Sequence, residues 1–170
     1  MKLLNHCGAL IVCALALAGC ASRQPAADAS ALAPATTTAT KSAQAILAFE
    51  TICLKTASSF AGAADAAKAF GITEFSDLGF ARMGMTKDSN LGVQIKPGVE
   101  CAITTPSQAD PTLSSQFGAA IARVSGGRAP GRFPVAIVVG GQPFIFHHDR
   151  QGGEAFVMLS ADSKRAEGRK

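Results

Sequence analysis

The sequence predicts an α+β fold, a single domain in which helices cover one face of an antiparallel sheet of about five strands, in the order ααββαβββ. Two stretches before residue 71 carry apolar residues at helical spacing. After residue 90 the pattern changes to short apolar or alternating segments divided by Gly and Pro. A third helical stripe separates two of those segments from the remaining three.

Taking the elements in order, Ile46, Phe49 and Cys53 fall at i, i+3 and i+7 with Leu47 and Leu54 beside them, and Ser42 is placed to cap. This predicts an amphipathic helix to about Ala57. After Ser58 and Ser59, the spacing of Phe60, Ala63, Ala64, Ala67 and Phe70 predicts a second helix that Gly71 stops. Residues 72–90 show no clear period, and Gly79 and Gly84 break any helix begun at Glu74, so the expectation is a partly ordered connection.

Leu91–Ile95 and Val99–Ile103 alternate, and Lys96-Pro97-Gly98 between them suits a tight turn, which predicts a hairpin. Asp110 before Pro111 reads as a helix N-cap followed by Pro at the first helical position. Leu113, Phe117, Ala120, Ile121 and Val124 then form one stripe as far as Ser125-Gly126-Gly127. Phe133–Val139 is β-rich and apolar on both faces, the pattern of a central strand, with Pro134 near its start. Gly140-Gly141 allows a two-residue hairpin into Pro143–His148, and the loop Asp149–Gly153 leads to Glu154–Leu159, completing a three-strand meander.

The domain is thus expected over residues 43–160, enough chain for one real core, followed by a basic tail at 161–170. The whole chain has 170 residues, 48% hydrophobic and 16% charged, which excludes wholesale disorder. It has ten Phe but no Trp or Tyr, so the core must be built from Phe, aliphatic residues and Ala. A net charge of +4 is too mild to imply a nucleic-acid partner.

The first twenty residues read as an address. Lys2 is a short positive region, and Gly8–Ala18 is an uncharged, mostly apolar run of eleven residues, well short of the roughly 20 that span a bilayer. It ends in Leu17-Ala18-Gly19-Cys20, an aliphatic residue and two small residues before a Cys. In all four positions the segment resembles the lipobox of bacterial lipoprotein precursors. That resemblance implies a signal peptide at 1–19 cut before Cys20, a diacylglyceryl thioether on Cys20 and acylation of the new amino terminus. Ala21, where some lipoproteins carry Asp, is similar to the pattern of those moved to the outer membrane in Gram-negative bacteria.

From the lipidated Cys, residues 20–42 form the expected tether. Residues 21–42 contain eight Ala, four Thr, three Ser and two Pro, and Leu32 is their only large apolar side chain. Such a segment buries too little surface to offset ordering entropy, and as a flexible chain it reaches on the order of 25 Å.

Of five cysteines, Cys7 and Cys13 lie in the signal segment and Cys20 is the lipidation site, leaving Cys53 and Cys101. Cys53 is on the stripe of the first helix and Cys101 on the apolar face of the second strand. In an oxidising compartment that predicts a Cys53–Cys101 disulfide, for which chain entropy alone gives about 4 kcal/mol.

Candidate chemistry is sparse. His147-His148-Asp149 is the one cluster of catalytic or metal-ligand type. Adjacent strand residues point to opposite faces, so His147 and Asp149 can share a side as a metal-binding pair while His148 cannot join them. The plain reading is that the histidines end an edge strand and begin a solvated turn. Ser125–Arg132 is a glycine-rich basic loop in which Arg128 and Arg132 could hold an anion, but it lacks a phosphate-loop pattern and follows a helix instead of preceding one. No nucleophile elbow, zinc-protease pair or acylation motif occurs in the chain after Cys20.

The expectation is a lipid-anchored protein of the cell envelope that faces the periplasm. It meets the membrane through its lipid and acts as a non-catalytic binding domain for a protein or envelope component, with no cofactor implied. The alternatives are a small envelope hydrolase or metal-dependent enzyme using His147, His148 and Asp149, or an anionic-surface binder using Arg128 and Arg132.

Overall fold

The computed structural model describes residues 44–162. The expectations for the signal segment 1–19, Cys20 and the tether, Ser42, and the tail after Asp162 lie outside the described residues. Among the described residues no helix is long and apolar enough to cross a membrane.

Helix α1 comprises residues 44–54. Residues 44–48 are α-helical and run into a π-helical segment, Phe49–Leu54, which closes with the i→i−5 bond of Lys55 N to Glu50 O at 3.0 Å. Helix α2 is Ala63–Ala67, tightening into a 3₁₀ turn at Lys68–Phe70, and Gly71 ends it in the left-handed conformation at φ 81°. Strands β1 (Phe75–Asp77), β2 (Arg82–Met85), β3 (Gly92–Lys96) and β4 (Glu100–Thr105) follow, then helix α3 (Leu113–Ser125). Strands β5 (Val135–Val139), β6 (Gln142–Asp149) and β7 (Glu154–Ser160) complete the chain.

The seven strands form one antiparallel sheet in the order β1-β2-β3-β4-β7-β6-β5, with all three helices on one face. Inward residues are in phase on neighbouring strands. Ile103 lies opposite Val93 and Phe156, and Met158 opposite Cys101 and Phe146. Onto this face pack Phe49, Ile52 and Cys53 from α1, Ala63 and Ala67 from α2, and Leu113, Phe117, Ala120 and Ile121 from α3, all of them buried. Each large side chain removed from water is worth about 1.5–3 kcal/mol. Phe49, Phe117 and Phe146 meet edge to face at centroid distances of 4.8 and 6.4 Å, the packing an aromatic core without Trp or Tyr requires.

Cys53 and Cys101 are joined in a disulfide that links α1 to β4, Cα to Cα 5.5 Å. The two hairpins β3–β4 and β5–β6, the β5–β6–β7 meander and the glycine stop after α3 follow the sequence expectations.

Several expectations need correction, among them Leu47, which stands beside the first stripe in sequence and is exposed. The sheet has seven strands, not five, because residues 72–90 supply β1 and β2. No helix forms in that segment, as Gly79 and Gly84 imply, and Gly84 lies within β2 where a Cβ would come within 2.5 Å of Ile72 and 2.9 Å of Phe75. The apolar stretch 133–139 gives the edge strand β5 and not a central one, while β6, which carries His147 and His148, is interior. Helix α3 begins at Leu113. Asp110 binds Thr112 N with its carboxylate at 2.7 Å, forming the turn before the helix. Val124, expected on the stripe, is exposed.

Candidate functional site

His148 sits at an inward position of β6, two residues after Phe146, and Glu154 at an inward position of β7, two before Phe156. His148 is opposite Phe156, so Glu154 is its diagonal neighbour on the core side. Their side chains are 1% and 2% exposed. His148 Nε2 and Glu154 Oε2 are 2.9 Å apart, and His148 Nδ1 lies 2.8 Å from Ser114 Oγ in the first turn of α3.

In the neutral tautomer that satisfies both contacts, Nε2–H donates to the carboxylate and Nδ1 accepts the Ser114 hydroxyl proton. The imidazole stacks on Phe156 at 4.6 Å with a 16° interplanar angle and has Phe117 and Phe133 at its edges, 6.0 and 6.4 Å away.

The second carboxylate oxygen is equally committed. Arg150, in the turn between β6 and β7, donates Nη2 and Nε to Glu154 Oε1 at 3.0 and 3.2 Å. Gln108 N donates to the same oxygen at 3.3 Å. Arg150 Nη2 also reaches the carbonyls of Gln108 and Asp110 at 2.8 and 3.3 Å.

The cluster therefore ties three segments together: the β6–β7 turn, the loop leaving β4, and the start of α3. Gly153 permits this approach, since a Cβ there would lie 2.8 Å from Thr105 O. The buried carboxylate is compensated by a cation and by directed donors, the condition under which a buried charge is tolerated. No buried side-chain nitrogen or oxygen among the described residues is left without a partner.

The residues singled out by sequence are distributed differently. His147 lies on the opposite face of β6 from His148, as strand alternation requires, in the row that includes Val157 and Ala102. Asp149 Oδ1 accepts Gln151 N at 2.9 Å and shapes the turn. Among the described residues no three His, Cys, Asp or Glu side chains gather as a metal site would need. Arg128 and Arg132 are exposed in the loop between α3 and β5, and neither forms an ion pair with a described residue. Cys20 is outside the described residues.

Sequence reasoning missed Ser114, Arg150 and Glu154. The signal was present in β7, where Glu154 is in phase with Phe156 and Met158, a carboxylate at a core position that calls for a buried partner. His148 in phase with Phe144 and Phe146 was its counterpart on the adjoining strand.

The other face of the sheet is covered by no described helix. It carries Met83 and Met85 of β2, Gln94 and Lys96 of β3, Glu100, Ala102 and Thr104 of β4, Val157 and Leu159 of β7, and Ile145 and His147 of β6. Met83, Met85, Gly92, Ala102 and Thr104 line a hollow of about 230 Å³ there. No family model matches this chain, no curated protein is similar to it, and no solved structure matches it.

Proposed function

We propose that the protein is a lipid-anchored component of the bacterial cell envelope whose domain acts by binding a protein or envelope component. The observation that carries the binding role is the uncovered sheet face. Met83 and Met85 are exposed there beside a hollow, among the polar side chains of Gln94, Thr104 and His147, and flexible methionines set in a mixed surface of this kind suit a protein contact. The envelope location rests on the Leu17-Ala18-Gly19-Cys20 segment, and the disulfide between Cys53 and Cys101 supports an oxidising compartment.

Intact mass spectrometry of protein extracted from bacterial membranes tests the anchor. The expected mass lacks residues 1–19 and carries acyl chains on Cys20, and an uncleaved or unacylated chain rejects it. For the binding role, crosslinking in cells through a photoreactive residue in place of Met83, in an otherwise unchanged chain, should capture a partner. Loss of capture in a Val157→Lys variant that keeps its fold is expected, and unchanged capture rejects the open face as the site.

One observation favours a second reading, an envelope hydrolase: Ser114, His148 and Glu154 are joined in a row of hydroxyl, imidazole and carboxylate. In that reading Ser114 Oγ attacks an ester or amide carbonyl while its proton passes to His148 Nδ1. The tetrahedral intermediate then collapses as that proton moves to the leaving group, and a water deprotonated by His148 cleaves the acyl-Ser114 ester and returns the proton to Ser114 Oγ, with Glu154 stabilising the imidazolium in both halves. This differs from the grouping of His147, His148 and Asp149, because His148 faces away from both of the others. A fluorophosphonate probe that labels wild-type protein and not Ser114→Ala supports it, and absence of labelling on folded protein rejects it.

A further inference from the structure

The edge strand β5 presents an unfinished hydrogen-bonding ladder. Its hairpin with β6 closes through the two-residue turn Gly140-Gly141, at φ 57° and 82°, flanked by the pair Val139 and Gln142. The pair flanking such a turn is hydrogen-bonded, and bonded pairs recur at every second residue, so Val135, Ile137 and Val139 spend their backbone groups on β6. Ala161 N, which bonds Pro143 O at 3.0 Å, agrees with this phase by placing the odd residues of β6 toward β7. The N–H and C=O groups of Ala136 and Val138 therefore point away from the sheet. No hydrogen bond from the described residues takes them up, both residues are exposed, and Val138 is 56% exposed.

Edge strands are ordinarily guarded by a charge, a bulge, shortness or a covering segment. Here the strand is Val-Ala-Ile-Val-Val, regular over five residues and uncharged.

We propose that β5 pairs antiparallel with β5 of a second copy of this chain, about a two-fold axis through Ile137. In that register Val135 stands opposite Val139 of the other copy, Ala136 opposite Val138, and Ile137 opposite itself. The outward groups of Ala136 and Val138 then exchange four backbone hydrogen bonds, the same two from each copy, as a two-fold interface demands. The antiparallel sense also sets Arg132 of one copy toward the Gly140–Gln142 end of the other, whereas a parallel pairing would bring the two arginines side by side. Both helical faces and both open faces continue across the junction, and no charge is buried. The inference stands on the sheet edge alone and does not depend on the anchored-envelope reading.

The full chain, purified in mild detergent from whichever cell fraction holds it, is examined by native mass spectrometry and by amide hydrogen exchange over a range of concentrations. A dimer is expected, with exchange at Ala136 and Val138 slowing as concentration rises. Val138→Pro removes an outward N–H without touching the β5–β6 ladder and should weaken the dimer about tenfold or more, since symmetry deletes two of the four bonds. Val138→Lys, a substitution at an exposed site, should also give monomer and serves where the Pro variant does not fold, with folding checked by the intact Cys53–Cys101 bond. A monomer at every concentration overturns the proposal, even if the monomer takes up an unrelated extended peptide at β5. So does a dimer that survives both variants.

Discussion

The two outer strands of the sheet, β1 and β5, differ in length, composition and support. Strand β1 has three residues, and one of them, Asp77, turns its carboxylate onto Gly79 N at 2.8 Å, so its edge is short and charged. Strand β5 has five residues and no charge. Behind β5 the meander is fastened by the His148–Glu154–Arg150 cluster, whereas the β1–β2 end depends on the fit around Gly84 and on a loop ordered by Asp88. One end thus combines a firm interior with an open edge, and the other a lighter interior with a guarded edge. A strand that is to accept another must hold its own shape first.

The sharpest way to break this contrast is to remove the carboxylate from the firm end. Glu154→Ala leaves His148 Nε2–H and Gln108 N without their shared acceptor and should lower unfolding free energy by about 2–5 kcal/mol in denaturant titrations, at about 1–3 kcal/mol for each buried group left unpaired. A loss below about 1 kcal/mol, the worth of an ordinary hydrogen bond, would mean that the cluster does not fasten the meander.

At the lighter end, Gly84→Ala places a methyl group against Ile72 and Phe75 and should cost about 1–3 kcal/mol in the same assay. An unchanged midpoint would show that β1 and β2 yield freely.

The smallest effect is local and pH-dependent. The Thr86 hydroxyl, followed by the Asn90 side chain and backbone N–H, holds the Asp88 carboxyl down to about 2 from the ordinary 3.8. A lowered folded value means that the stabilisation is complete above the ordinary value and is lost as pH falls from about 4 toward 2. Amide protection across residues 86–91, measured against the intrinsic exchange rate at each pH, should therefore fall in that window while β6 and β7 stay protected. Equal loss of protection at both ends would erase the contrast.

Much of this architecture was legible in residue spacing. The stripe of α3, the Gly140-Gly141 hairpin and the phase that brings Cys53 to Cys101 all follow from periods of 3.6 and 2 and from turn chemistry. What escaped depends on contacts between distant segments. Gly84 looks the same in sequence whether it only breaks a helix or makes room for Ile72 within a strand. The run 133–139 is apolar on both faces at an edge as it would be at a centre, because sequence records hydrophobicity and not the number of neighbours.

The candidate site was half legible. His148 could be recognised, and its separation from His147 followed from strand alternation. Its partners Ser114 and Glu154 stand 34 and 6 residues away, and only the register across the β6–β7 turn and the docking of α3 bring them to it.

The bond between Cys53 and Cys101 also fixes how the domain carries load. A pull applied at the start of α1 travels along that helix to Cys53, crosses the sulfurs, and enters β4, which is paired on both sides in the sheet. The chain between the two cysteines, with α2 and β1 to β3, lies outside that covalent path and feels no tension through the backbone. The domain is therefore hung from the middle of its sheet, and force from the N-terminal side meets β4 and its paired neighbours before it can peel away the weakly built β1–β2 end.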